Sequence, residues 1–198
     1  HLCLDRPRDV HMREKKQHRH RLRHAVAPAA EFVPGAGTGR QVAGGEGVAL
    51  LDAARGAFRR VPELGDERVF ALAFDGDGVL WLQRQSGLAQ YRRDGARWRA
   101  GEQIDVAHGM PAVGASGLQV DRRHRVWLST SRGLYRYDPR SRNLRRHGMR
   151  DGVSSQEFLD RALAMSAHGV LAAATADGGI VLVDTTVDDP AMPVPSLR

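Results

Sequence analysis

The sequence predicts an all-β fold built from successive four-stranded antiparallel units, preceded by a basic segment without strand patterning. Three observations predict it. An apolar segment led by glycine recurs at Gly47, Gly87, Gly133 and Gly179, with spacings of 40, 46 and 46 residues. A turn followed by an apolar strand precedes the last three copies, with Asp75 and Asp121 in the first two and a weaker His168-Gly169 form in the third, and Trp81 and Trp127 are again 46 residues apart. Between these marks the apolar runs are short and bounded by turn residues, and helical periodicity is nearly absent. Two features sharing one period identify an internal repeat, and a period of about 20–50 residues is the signature of a repeat architecture.

Residues 1–24 carry six Arg and two Lys against three acids, interleaved with His1, His11, His18, His20 and His24. Such a like-charged block is expected to be a solvated, disordered tail. Most of the net charge of +7 therefore sits in this tail, and the remainder of the chain is close to neutral. A nucleic-acid-binding domain concentrates its positive charge on the folded face that meets phosphate, so no nucleic-acid partner is expected. Residues 25–46 are rich in Ala, Gly and Pro and read as linker with room for a first strand.

The repeats follow. Val69–Phe74 is a continuous apolar run, as expected for an inner strand covered on both faces. Asp75-Gly76-Asp77-Gly78 is turn chemistry, in which Asp caps its own backbone and Gly tolerates positive φ. Val79–Gln83 reads as the next strand, Gly87-Leu88 opens a third, and Asp94-Gly95 leads to a more polar fourth near Trp98. The next copy carries Asp121, Trp127, Gly133, Leu134 and Tyr137, and the last carries Gly179 with Ala172 where the others have Trp. The best helical candidate is Ser155–Leu163, with Ser154 as its cap, and loop plus strand is the equal alternative. Four short strands per repeat, grading from apolar to polar, is the pattern of a β-propeller blade. The expected organisation is a tail and linker over 1–44, about three blades over 45–184 and a Pro-rich exit over 185–198. Three blades cannot close a ring of about 4–8, so the remaining blades of a longer propeller, or a second protomer, are expected partners.

The stretch Val126-Trp127-Leu128-Ser129-Thr130-Ser131-Arg132-Gly133-Leu134-Tyr135-Arg136-Tyr137-Asp138-Pro139 resembles the repeat of two-component-regulator propellers. The segment around Gly87 resembles a second copy, and Asp151–Phe158 with Gly178-Gly179-Ile180 resembles a closing repeat. These are periplasmic sensor modules of hybrid histidine kinases and related diguanylate cyclases. The resemblance covers residues 47–195 and implies the C-terminal part of a periplasmic sensor region of an inner-membrane protein. It implies a small extracytoplasmic molecule or carbohydrate as ligand, without choosing one, and output residues outside this chain.

Other constellations weigh less. Trp81 and Trp127 are expected to pack between blades more than to form a ligand platform. Asp75, Asp77 and Asp121 carry calcium-type oxygens, but turn chemistry explains them, and the twelfth position from Asp75 is Ser86 where a Glu ligand is needed. Cys3, His11, His18, His20 and His24 include a zinc-compatible His20-x3-His24 spacing with a single thiol. Gly35–Arg40 is glycine-rich but lacks the Lys-Ser/Thr ending of a phosphate loop. No cofactor is therefore expected, and no nucleophile motif is present. A non-catalytic recognition domain is the leading expectation. The alternative is an enzyme, because the streptogramin lyases use a similar Asp-Gly-x-x-Trp repeat with a metal and a His base. Its candidates are His108 and His124, with Glu102 or Asp121. A third reading, an anionic-surface binder acting through residues 1–24, predicts binding that weakens with salt.

Overall fold

The computed structural model describes residues 41–44, 47–52 and 55–187. The basic tail with its Cys and His candidates, the Gly35–Arg40 run and the chain beyond residue 187 lie outside the described residues. Among the described residues no helix is long and apolar enough to cross a membrane.

Among the described residues fourteen strands form four antiparallel sheets in chain order. Sheet I contains β1 (Gln41–Gly44), β2 (Gly47–Asp52) and β3 (Ala57–Arg60). Sheet II contains β4 (Val69–Phe74), β5 (Leu80–Arg84), β6 (Gly87–Asp94) and β7 (Arg97–Ile104). Sheet III repeats this with β8 (Ala115–Val120), β9 (Val126–Thr130), β10 (Gly133–Asp138) and β11 (Asn143–His147). Sheet IV contains β12 (Phe158–Met165), β13 (Val170–Thr175) and β14 (Ile180–Asp184). Sheets II and III are the four-stranded blades the repeat calls for. The end sheets refine the expected count: each shows three strands among the described residues, and sheet I includes β1 from the Gly/Pro-rich stretch. Short 3-10 turns at Pro62–Leu64, Val106–His108 and Met149–Asp151 connect one sheet to the next.

Each sheet is a meander, because hairpins are the cheapest connection between antiparallel neighbours. The inner strands β4, β8 and β12 lie side by side. That approach is close: a Cβ on Gly117 would stand 2.5 Å from Leu163, and one on Gly114 would stand 2.5 Å from the Phe70 ring. The inner strands of sheets II and III carry the same register shift, at Val69/Ala71 and at Ala115/Gly117, 46 residues apart.

Alternation along the strands sends one face of each sheet to the preceding sheet and the other to the next. Val79, Trp81 and Leu88 of sheet II pack with Leu118, Val126, Leu128, Tyr135 and Tyr137 of sheet III. Leu80, Leu82 and Tyr91 pack backwards with Val48 of sheet I and with Val61 and Leu64 of the connection. Trp127 and Leu134 of sheet III pack with Leu163, Leu171 and Ala173 of sheet IV. The core is thus three layers between four sheets.

The segment Ser155–Leu163 resolves to loop and strand, not helix. Residues 154–157 are irregular, and β12 begins at Phe158, paired with Thr175. A bulge separates that pair from Leu163↔Ala173, with Arg161 at φ +60° inside it. The bulge breaks the two-residue alternation that would otherwise mark a strand.

Candidate functional site

The repeat motif supplies the frame of the site. Asp75 turns the chain between β4 and β5, its Oδ1 accepting from the N–H groups of Asp77 (3.0 Å) and Val79 (2.8 Å), with Gly78 at φ +77°. Asp121 repeats the turn between β8 and β9, its Oδ1 accepting from the N–H groups of Arg123 (2.9 Å) and Arg125 (3.0 Å). Gly87 and Gly133 open the third strands at φ +138° and +128°. A Cβ on Gly87 would lie 2.2 Å from the carbonyl oxygen of Ile104, so this strand start presses directly on the end of the outer strand. Gly179 has no left-handed φ; its approach is to Thr175, whose Oγ1 would lie 2.9 Å from an added Cβ. Leu88 and Leu134 are buried on the face toward the following sheet, as are Trp81 and Trp127, each 1% exposed.

The two tryptophans occupy one register position, opposite Gln90 and Arg136 respectively, and Ala172 holds the same position opposite Leu182. Their surroundings differ. Trp127 donates its Nε1–H to Asp121 Oδ2 (2.8 Å), stacks on His147 at 5.2 Å and lies beneath the guanidinium of Arg136. Arg125 also donates to Asp121 Oδ2 (2.7 Å) and reaches the carbonyl of Thr185 at the end of sheet IV. Asp121 and Arg125 are buried, so this pair is a structural knot. Trp81 instead meets the Tyr137 ring of sheet III edge-on at 5.9 Å, and its Nε1–H has no partner.

Tyr137 leads from this junction to a cleft of about 260 Å³ between the outer strand of sheet II and the β10–β11 hairpin of sheet III. The Tyr137 hydroxyl donates to Glu102 Oε2 (2.9 Å), and Arg142 Nε donates to Glu102 Oε1 (2.9 Å). Burial of the hydroxyl, then its bond to the Glu102 carboxylate, pushes the Tyr137 phenol up to about 12. Arg142 sits at φ +53° in the hairpin and is otherwise exposed, with 79% of its side chain accessible. Ile104 and Leu144 give the cleft an apolar lining, and Gln103 and His108 complete its rim. His108 Nδ1 lies 2.8 Å from Asp105 Oδ1, and that contact is the main reason the Asp105 carboxyl is held below the usual range. The cleft therefore presents an arginine guanidinium and an imidazole above aliphatic surface. With the Glu102 carboxylate beside them, these groups suit a small ligand whose hydroxyls can both accept and donate hydrogen bonds.

The structure brings Glu102 and His108 to this one cleft and keeps the other two lyase candidates away from it. His124, at φ +63°, points its Nδ1 toward Asp75 Oδ2 (3.4 Å) and Asp77 Oδ2 (3.7 Å), and so ties the β8–β9 turn to the β4–β5 turn. Asp121 is committed to Arg125 and Trp127. Among the described residues no group of three His, Cys, Asp or Glu side chains is placed to hold a metal ion. Sequence reasoning missed Tyr137 and Arg142 as cleft residues. Glu102 and Arg142 are 40 residues apart, slightly under one repeat, and stacking consecutive repeats would have brought them together.

No family model and no curated protein matches the chain. Solved structures do. The extracellular domain assigned to the hybrid two-component system BT3049 of B. thetaiotaomicron is 20% identical with a TM-score of 0.53, over 76% of this chain and 19% of that one. The corresponding domain of BT4673 from the same organism is 18% identical with a TM-score of 0.56, over 73% of this chain and 20% of that one. A structure assigned as a gluconolactonase is 18% identical with a TM-score of 0.53, over 71% of this chain and 46% of that one. The chain thus spans about a fifth of the length of the two-component domains it matches. These similarities concern the fold. By its repeat, its sheet order and these neighbours, the chain is a sector of a β-propeller, similar in fold to the extracellular domains of hybrid two-component systems.

Proposed function

We propose that the chain is a ligand-recognition sector of an extracytoplasmic sensor propeller in a bacterial signal-transduction protein, and that it is non-catalytic in itself. The observation that carries this reading is the cleft between sheets II and III, whose polar groups come from consecutive blades. Glu102 is on sheet II; Tyr137 and Arg142 are on sheet III. A ligand that engages Arg142 competes with or reinforces the Glu102 bridge, so its binding energy acts on the junction between two blades. A ligand shifts a structure only by its differential affinity for two arrangements, so this reading requires that the ligand bind the junction differently with the Glu102–Arg142 bridge closed and open. The repeat resemblance and the two-component neighbours support a periplasmic setting and a sugar or other small polar molecule as the ligand.

The test is a thermal-shift titration of the full chain with a panel of neutral and acidic mono- and oligosaccharides. One class is expected to raise the melting temperature, and Arg142→Ala is expected to abolish that response. A panel that produces no shift, or a shift indifferent to Arg142, would sink the cleft as the recognition site.

The shared placement of Glu102 and His108 also suits a lyase-like reading with His108 as the base, although the described residues form no group of three side chains that would hold its metal. It predicts metal-dependent turnover that disappears in His108→Ala. Turnover intact in that variant would remove the proposed base.

A further inference from the structure

The blade interfaces have a direction. Each enclosed one joins the Trp-bearing face of a sheet to the opposite type of face on the next sheet, as between Trp81 and Tyr137 or between Trp127 and Leu171. Both types recur at the ends of the chain, uncovered among the described residues. On sheet IV the Trp-type face carries Val170, Ala172 and Ala174 on β13 and Ile180 and Leu182 on β14, with Asp184 at its edge opposite Val170. Ile180 is 71% exposed and Leu182 67%. On sheet I, Val48 packs on sheet II, and the opposite face carries Ala49 and Leu51 on β2, with Arg60 beside Ala49 and Phe58 beside Leu51 on β3. Phe58 is 57% exposed. Large apolar side chains grouped on one sheet face mark an interaction surface.

We propose that a second copy of this chain covers the open face of sheet IV with the open face of its own sheet I. This goes beyond the recognition reading and does not depend on the ligand. The contact continues the two interfaces already built into the fold, with the same direction and the same pairing of faces. The place of Trp81 opposite Tyr137 falls to Ala172 opposite Leu51, so the apolar contact moves outward, to Ile180 and Leu182 against Phe58. Because the contact joins unlike faces it is heterologous, and two such contacts related by a two-fold axis close a ring. Two copies of four sheets give eight, at the upper end of the range of about 4–8 blades over which propellers close.

The test is the sedimentation mass of the full chain at micromolar concentration, alone and as Leu182→Arg and Phe58→Arg variants. Both positions are exposed, so circular dichroism should show unchanged strand content. The unsubstituted chain is expected to run as a dimer, and each variant alone as a monomer. An equimolar mixture of the two variants is expected to recover dimer, because one of its two contacts then carries neither substitution. A monomeric unsubstituted chain would overturn the proposal and leave the face to further sheets of a longer chain. A dimer insensitive to both substitutions, or a mixture that stays monomeric, would overturn the head-to-tail contact. Open filaments would overturn the ring. Association is read by mass and recognition by melting temperature, so either can fail alone.

Discussion

Asp75 and Asp121 hold the same place in the repeat and do different physical work, and replacing each by Asn separates the two. In both, the Asn carbonyl oxygen can keep the two turn hydrogen bonds made by Oδ1. The other oxygen becomes an NH2 group. At Asp121 that group would face two donors, Arg125 Nε and Trp127 Nε1, which now share Oδ2 at 2.7 and 2.8 Å. Arg125 is 6% exposed and would lose its countercharge, a loss that costs about 3–5 kcal/mol at buried sites. At Asp75 the side chain is also buried, 6% accessible, but the partner of its Oδ2 is His124, 3.4 Å away and 30% accessible, so no buried cation is orphaned and the expected cost is below about 1 kcal/mol. With a urea slope of about 2 kcal/mol per molar, Asp121→Asn should lower the unfolding midpoint by about 1.5–2.5 M and Asp75→Asn by under about 0.5 M. Equal shifts for the two variants, with unchanged slope, would refute the assignment of Asp121 to a buried charge knot.

Gly87→Ala must accept both φ +138° and a contact of 2.2 Å with Ile104, so urea unfolding should show a loss of about 3 kcal/mol or more. Gly95→Ala, at φ +60° with nothing within 4 Å, should cost about 1 kcal/mol. Trp81→Ala empties the space between sheets II and III and should lower stability by about 3–5 kcal/mol in the same assay. The Tyr137 phenol is raised from 10.0 to about 12 in the folded chain, so its contribution is complete below pH 10 and is lost as pH rises toward 12. Thermal melts between pH 9 and about 12 should therefore fall more steeply for the unsubstituted chain than for Tyr137→Phe.

Much of the fold was legible because a propeller repeats its physics. The glycines at 87 and 133 recur because each third strand begins against the backbone or side chains of its neighbour with left-handed φ. The substitution of Trp by Ala172 was also legible, and strand register places it opposite Leu182 as the alignment requires. The segment Ser155–Leu163 was ambiguous for a local reason: the bulge over residues 159–162 inserts residues that spoil the alternation. Sheet I was harder to recognise because its first strand lies in a Gly- and Ala-rich stretch whose residues signal turns more strongly than strands.

The candidate site was less legible than the fold. Glu102 and His108 stood out as titratable residues, but Tyr137 read as a packing position, which its ring is. Its hydroxyl acquires a second role only because the neighbouring sheet delivers Glu102 to 2.9 Å. Likewise, nothing in the turn letters around Asp75 and Asp121 separates them. The difference comes from Arg125, a buried cation where the preceding repeat has Val79, and from the carbonyl of Thr185 that receives it. Contacts within a strand pair follow from the repeat, whereas contacts between blades depend on which residue each copy has varied.

If ligand recognition occurs at the junction of sheets II and III, an NMR titration of the isotope-labelled full chain, with the saccharide that gives the largest thermal shift, locates it there. Perturbations are expected to centre on His108, Arg142 and Tyr137 and to extend to the indole N–H of Trp81, which meets the Tyr137 ring. Perturbations centred instead on the inner strands β4, β8 and β12, with the cleft signals unmoved, would contradict recognition at this junction.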